Sequence, residues 1–224
     1  MTTGRTSSIE VSTREIVDVA LRSLRAHGAS YAAARQAADL VEELQVVDGS
    51  GLPALWAALR RPVSTATATV QGHTVDARGG SALLVATELG DLLSTSGDAT
   101  LLNVGEPNAA LGVLRRVAGT CGGSWTAEWS SIDRGLRGGC HVDSAGHCCL
   151  WGDIGSRYPA LPTVSLRVRR AGATLTSEAR RAERLPEVPA ALARARQFGL
   201  TVQREQWTPL VRAAEKFLLG TTCS

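Results

Sequence analysis

"GGCHVDSAGHCCLWGD" (residues 138–153) reads as two strands folded back on a polar turn, and it gathers three of the five cysteines and two of the four histidines within ten positions. Asp143-Ser144-Ala145-Gly146 supplies the turn chemistry, an Asp that accepts from nearby backbone and a Gly free to take a positive φ. A four-residue turn there pairs Val142 with His147. The two-residue period of a strand then places Cys140, Val142, His147 and Cys149 on one face, and His141, Cys148 and Leu150 on the other.

Each face suggests a chemistry. Cys140, His147 and Cys149, with Cys121 as a fourth, are soft ligands of the kind zinc takes, but the spacing lacks the knuckles that bend a chain around the ion, so no metal is expected. On the other face His141 stands opposite Cys148, in position to take the thiol proton and create a nucleophile. The plain alternative is a hairpin whose small thiols fill a core.

Outward from the hairpin, "SWTAEW" (124–129) and "TVSLRVRR" (163–170) alternate as further antiparallel strands. In the first, Glu128 lies between Trp125 and Trp129, held among aromatics or turned to water. Upstream, "STATATV" (64–70) and "HTVDA" (73–77) predict two short strands joined at Gln71-Gly72. "SALLVATELGDLL" (81–93) predicts a helix with Ala82, Val85, Leu89 and Leu92 on one face. "TLLNV" (100–104) reads as a buried strand and "GEPNAALGVLRRVAG" (105–119) as a helix.

The N-terminal quarter is helical throughout. Ser12 and Glu15 form a capping box ahead of an apolar face that Gly28 ends. A second helix starts near Ser30, and Pro53 suits the first turn of a short third. His27, beside the stop at Gly28, has a structural place at a helix end. Two helices close the chain, near Pro186 to Phe198 and Glu205 to Leu219. The expected class is α+β, one domain over 1–224: a helical start (1–62), a mixed or antiparallel sheet (63–175) and C-terminal helices (176–224). The polar segment 169–189 is expected to be a loop, and Thr221, Thr222 and Cys223 a frayed end.

The formal charge is +3, with Lys216 the only lysine and the arginines scattered. That pattern offers no basic stripe for nucleic acid. The start lacks the apolar core of a signal peptide, and no apolar run approaches the ~20 residues of a membrane span. A cytoplasmic protein with reduced thiols is expected.

A resemblance narrows the reading. "VVDGSGLPALWAALRRP" (46–62) resembles the start of the malate/L-lactate dehydrogenase family that is distinct from the Rossmann enzymes, where two helices lead to Asp-Ser-His-Gly-Leu, a short helix and a Pro. Asp48, Gly51, Leu52 and the Leu55 to Pro62 segment follow that order, while Ser50 stands where the family has its catalytic histidine. In the family that imidazole gives a proton to the substrate carbonyl, a task a serine hydroxyl cannot take over near neutrality. The chain is also shorter, and no G-x-G-x-x-G follows a strand. The closing residues 199–224 are similar to short bacterial proteins sharing this start.

These features lead to a small enzyme that needs no cofactor and acts on a small carboxylate, 2-oxo acid or imine by acid-base or thiol chemistry, of lyase, isomerase, cyclase or hydrolase type. His141 and Cys148 are the expected base and nucleophile. Asp48 and Ser50 face the substrate, while Arg78, His73 and Glu128 bind it, with Arg78 clamping a carboxylate near His73 and Asp76. One alternative is an NAD(P)H oxidoreductase in which His73 or His141 replaces the missing imidazole; another is a non-catalytic binding protein. The resemblance implies a homodimer, with no nucleic-acid or membrane partner expected.

Overall fold

The computed structural model describes residues 7–63, 69–131, 135–152, 163–171 and 181–219, the side chains of Thr69 and Glu183 excepted. Most of "STATATV", part of the 169–189 segment, Asp153, Thr221, Thr222 and Cys223 lie outside the described residues.

Ser12 opens the first helix as its pattern requires. Its hydroxyl accepts from the Glu15 N–H at 3.2 Å, and the Glu15 carboxylate accepts from the Ser12 N–H at 2.7 Å, the reciprocal capping box. Helix α1 (Thr13–Ala26) ends before Gly28, whose φ is +102°. Ser30 caps α2 (Tyr31–Val47), and α3 (Gly51–Ala58) follows almost at once. The last two meet at Gly51, where a Cβ would strike the Val41 carbonyl and the Gln45 backbone. Gly51→Ala should therefore cost about 1–3 kcal/mol of stability. An unchanged denaturation midpoint would show that the helices can part.

The sheet forms from short alternating segments. Strands β2 (Thr69–Gln71) and β3 (Thr74–Asp76) make a hairpin, and β4 (Asp98–Val104) lies parallel to β3. Between those two runs α4 (Ala86–Ser96), which starts five residues later than the apolar pattern suggests because Ser81 is tied to Gly105 by a bridge and its hydroxyl accepts from Leu83 N–H. After a 3-10 turn at Pro107–Ala109 come α5 (Ala110–Cys121), β5 (Ser124–Ser131), β6 (Leu136–Val142), β7 (Cys148–Gly152), β8 (Val164–Ala171) and β9 (Glu183–Arg184). The sheet order is β2-β3-β4-β8-β5-β6-β7-β9, antiparallel except at β3/β4.

Helices α4 and α5 pack on one face of this sheet. Beneath them lie Leu101, Val168, Ala127, Cys140 and Leu150, all buried. The opposite face carries Arg167, Glu128, Thr126, Arg137, His141 and Trp151, which alternate with those residues. The class is α+β, as the sequence pattern predicts.

Two strands escape that pattern. β1 (Ser8–Val11) and β10 (Leu200–Gln203) pair antiparallel, Ser8 with Gln203 through Val11 with Leu200. Each spans four residues bounded by a helix, too short for a period to register. Their pairing joins the two ends of the fold, where α7 (Arg204–Leu218) packs on α1, and α6 (Val188–Phe198) packs on α2. Among the described residues, no helix is long and apolar enough to cross a membrane.

The cysteine-rich hairpin corrects its expected register by one residue. Val142 pairs with Cys148, His141 with Cys149 and Cys140 with Leu150. The turn runs from Asp143 to His147: Asp143 N–H donates to His147 O at 3.0 Å, and one Asp143 carboxylate oxygen accepts from the N–H groups of Ala145 and His147 at 2.9 Å each. That carboxylate accommodates a fifth residue, and a one-residue shift transfers a whole strand to the other face.

Candidate functional site

Asp48 ends α2 and Ser50 begins α3, with Gly49 at φ +76° making the turn between them. One Asp48 oxygen accepts from Ser50 N–H at 2.9 Å and from the Ser50 hydroxyl at 2.6 Å. The hydroxyl oxygen accepts in turn from the Asn108 amide at 2.9 Å. Ser50 is completely buried and Asn108 nearly so. The serine hydroxyl is thus committed to a packed polar chain.

Beside it, Arg61 Nε donates to the Glu106 carboxylate at 2.7 Å, both groups largely buried. The second oxygens of Asp48 and Glu106, and Asn108 Oδ1, are buried without a hydrogen-bond partner among the described residues. Burial raises the pKa of Asp48 against its Ser50 hydrogen bonds, and that of Glu106 against the Arg61 charge and the Ser81 hydroxyl. A carboxyl whose folded pKa is raised stabilises the fold fully below its unfolded value, near pH 4, and loses that contribution as pH rises through the folded value. Wild-type stability should therefore fall between about pH 4 and neutrality from this cause, and Asp48→Asn should flatten part of the fall. Parallel pH profiles for the two proteins would refute that.

Arg78 and Glu106, in the two loops that leave the parallel strands, have φ of +47° and +50°, and Asn103, at the irregularity near the end of β4, has φ of +53°. Non-glycine residues in this region carry strain that the surrounding structure must hold in place. Asp76 does part of this, accepting from Arg78 N–H at 2.8 Å and from the Asn103 amide at 3.0 Å. His73 instead pairs with Asp98 at 2.8 Å, at the opposite end of β3. The expected His73–Arg78 carboxylate site is not assembled: His73 precedes β3 and pairs with Asp98, while Arg78 lies beyond the other end of the strand with its N–H on Asp76.

The hairpin likewise separates its expected pair. With the observed register, Cys148 points with Cys140 and Val142 toward the helices, while His141 points with Cys149 to the open face. His141 meets Thr126 Oγ1 at 2.9 Å through Nδ1 and is 5 % exposed. Burial lowers its pKa, against the pull of Asp143, and leaves the ring neutral at pH 7. Burial also pushes the Cys148 thiol up to about 11, and those of Cys140 and Cys149 upward.

The soft-ligand set is dispersed as well. Cys140 and Cys149 take opposite faces, His147 is exposed and bound to Asp143 at 2.9 Å, and Cys121 ends α5. No group of three or more metal-binding side chains occurs among the described residues. Cys121 is exposed, with its pKa lowered by hydrogen bonds from Thr120 and Ser94. Alkylation at pH 8 should label Cys121 long before Cys140, Cys148 or Cys149. Peptide mapping that found Cys148 modified first would overturn that order.

Glu128 turns away from Trp125 and Trp129, which are buried under the helices, and contacts Arg169 at 3.5 Å on the open face. There a groove of about 710 Å³ is walled by Glu128, Arg137, Trp151, Arg167 and Arg181. Its size suits a small-molecule site. Ser50 and Asp48 are not in its wall. Sequence reasoning missed Asn108, Arg61 and the three groove arginines. Nothing in "GEPN" or "LRRP" announces a buried partner, and only strand register collects the arginines.

The sequence matches no protein-family model and no curated protein. Solved structures do match. Malate dehydrogenase from Pyrococcus horikoshii OT3 superposes with a TM-score of 0.61 at 10 % identity, covering 96 % of this chain and 98 % of that one. The fold is that of the malate/lactate dehydrogenases. Sulfolactate dehydrogenase from Methanocaldococcus jannaschii gives 0.57 at 7 % identity, covering 93 % and 97 %. Delta1-piperideine-2-carboxylate reductase from Pseudomonas syringae pvar. tomato gives 0.52 at 15 % identity, covering 92 % and 99 %. Identities this low carry the architecture and no activity.

Proposed function

We propose that the protein is an NAD(P)H-linked oxidoreductase acting on a small carboxylate, a 2-oxo acid or a cyclic imine. The observation that carries this reading is the superposition of two dehydrogenases and a reductase over more than nine-tenths of both chains. It displaces the thiol mechanism, whose base and nucleophile occupy opposite faces of the sheet.

A dinucleotide needs donors for its diphosphate. The loop Arg78-Gly79-Gly80-Ser81 spends its N–H groups internally: Arg78 on Asp76, Gly79 on Asn103 O and Gly80 on Ala77 O. It does not fit the task. The guanidinium groups of the open-face groove fit it, and Arg137, Arg167 and Arg181 would hold the phosphates. The nicotinamide ring, when bound, supplies the hydride. On the protein's side His141 lies on that face, two positions along β6 from Gly139 and held by Thr126 Oγ1, and would carry the proton-transfer role in its protonated form in place of Ser50.

Titration with NADH and NADPH, followed by cofactor fluorescence, should saturate below millimolar concentration. No binding at millimolar cofactor removes the reading. A second reading, a ligand-binding protein without turnover, is favoured by the commitment of Ser50 to Asp48 and Asn108. Cofactor binding with no oxidation across a panel of 2-oxo acids and cyclic imines would select it.

A further inference from the structure

We propose that the cleft between α1, α2, α5 and α6 is a second ligand site, which takes the phosphate group of a small hydroxylated phosphomonoester through Arg14, Arg116 and Thr13. It is separate from the open-face groove, because α5 packs on the other face of the sheet. The inference goes beyond the oxidoreductase reading and does not depend on it.

The cleft encloses about 690 Å³, a size that suits a small molecule. Its three acids are already matched to arginines. Arg35 pairs with Asp39 at 3.1 Å, Arg196 with Glu42 at 3.4 Å, and Arg115 with the buried Glu43. Arg14 and Arg116 line the same cleft, and neither has an acidic partner among the described residues. Glu15, the next residue of α1, spends its carboxylate on the Ser12 N–H and hydroxyl, each at 2.7 Å. Five guanidinium groups against three carboxylates leave a surplus of two positive charges on one concave wall. Like charges without counter-ions repel, and a concave wall concentrates their field. A bound dianion relieves the first and exploits the second.

Thr13 carries an independent sign of a ligand. It is 6 % exposed and lines the cleft, yet its hydroxyl has no hydrogen-bond partner among the described residues. Buried polar side chains are normally paired. The backbone beside it has donors to spare as well. The capping box engages the N–H groups of Ser12 and Glu15, and Ile16 N–H donates to Ser12 O. The N–H groups of Thr13 and Arg14 are left over at the positive end of a 14-residue helix.

These spare donors sit on two helices, α1 and α5. A planar carboxylate is satisfied by a single guanidinium fork, whereas a phosphate dianion carries two charges and a tetrahedral set of oxygens that draws on donors from several directions. No aromatic side chain lines the cleft among the described residues, and Val17 and Leu192 are its apolar members. A nucleotide ring therefore finds no stacking surface there. The solvent-exposed Arg35–Asp39 pair offers donors and acceptors to hydroxyl groups instead.

The test uses the full chain, titrated by calorimetry with glycerol 3-phosphate, inorganic phosphate and malonate. Wild type should bind glycerol 3-phosphate below millimolar concentration, with inorganic phosphate weaker and malonate weakest. Arg14→Gln and Arg116→Gln should each weaken glycerol 3-phosphate roughly ten- to hundredfold, and Thr13→Val about three- to tenfold. Arg212→Gln removes the same charge from an exposed position of α7 outside the cleft, and should leave affinity within about twofold. Because Arg14 and Arg116 lack acidic partners, their replacement should leave the thermal midpoint unchanged or raise it. Glycerol 3-phosphate should raise the midpoint of wild type and not that of either variant. No binding of glycerol 3-phosphate by wild type at millimolar concentration overturns the site. An equal loss of affinity in Arg212→Gln and Arg116→Gln also overturns it, since net charge alone would then explain the binding. Malonate binding as tightly as glycerol 3-phosphate overturns the assignment to a phosphomonoester.

Discussion

Arg61→Ala is expected to destabilise the protein by about 3–5 kcal/mol, because it strands a buried carboxylate instead of merely deleting a contact. Glu106 is 5 % exposed, its other oxygen has no partner among the described residues, and its backbone is held at φ +50°. Arg61 also reaches the Gly79 carbonyl at 3.4 Å, so the change loosens both loops that leave the parallel strands. Chemical denaturation at pH 7 measures the loss. Arg61→Ala combined with Glu106→Gln should recover much of it, since the uncompensated charge is then gone. A loss below about 1 kcal/mol would mean that water already reaches Glu106.

Ser50→Ala should cost about 2–4 kcal/mol, near the sum of two buried groups losing their partner. The hydroxyl donates to Asp48 and accepts from Asn108, so removing it leaves a carboxylate oxygen short of a donor and an amide short of an acceptor. The same variant separates structure from turnover. If Ser50 only braces the α2–α3 turn against the β4–α5 loop, stability falls while ligand affinity in the open-face groove is unchanged. A Ser50→Ala protein as stable as wild type would show that water has replaced the hydroxyl.

Buried charge also explains why part of the fold was illegible. Glu43 sits on α2 where helical spacing alone gives a solvated acid, yet it is 5 % exposed and its two oxygens accept from Nε and Nη2 of Arg115. Gly112 permits this, since a Cβ there would press on Leu40 and Glu43. No local pattern marks either residue, because the pairing bridges two helices 72 positions apart. The hairpin shows the same limit on a smaller scale. Its existence was readable from Asp143 and Gly146, but its register turned on one carboxylate oxygen gathering two N–H groups, a detail of a few ångströms that decides which face every following side chain takes.

The amino-acid order by itself determined the segments: the capping box at Ser12, the stop at Gly28, the second cap at Ser30, and the alternation that makes strands of 124–129 and 163–170. These depend on neighbours within a few positions, and neighbours are what a linear pattern records. Only the tertiary structure decided that Ser50 is sealed against Asn108, that His141 and Cys148 part company, and that Arg167, Glu128, Gly139 and Trp151 share one rung. Each of those outcomes joins residues distant in the chain, and the free energy that selects them comes from burial and strand register formed together.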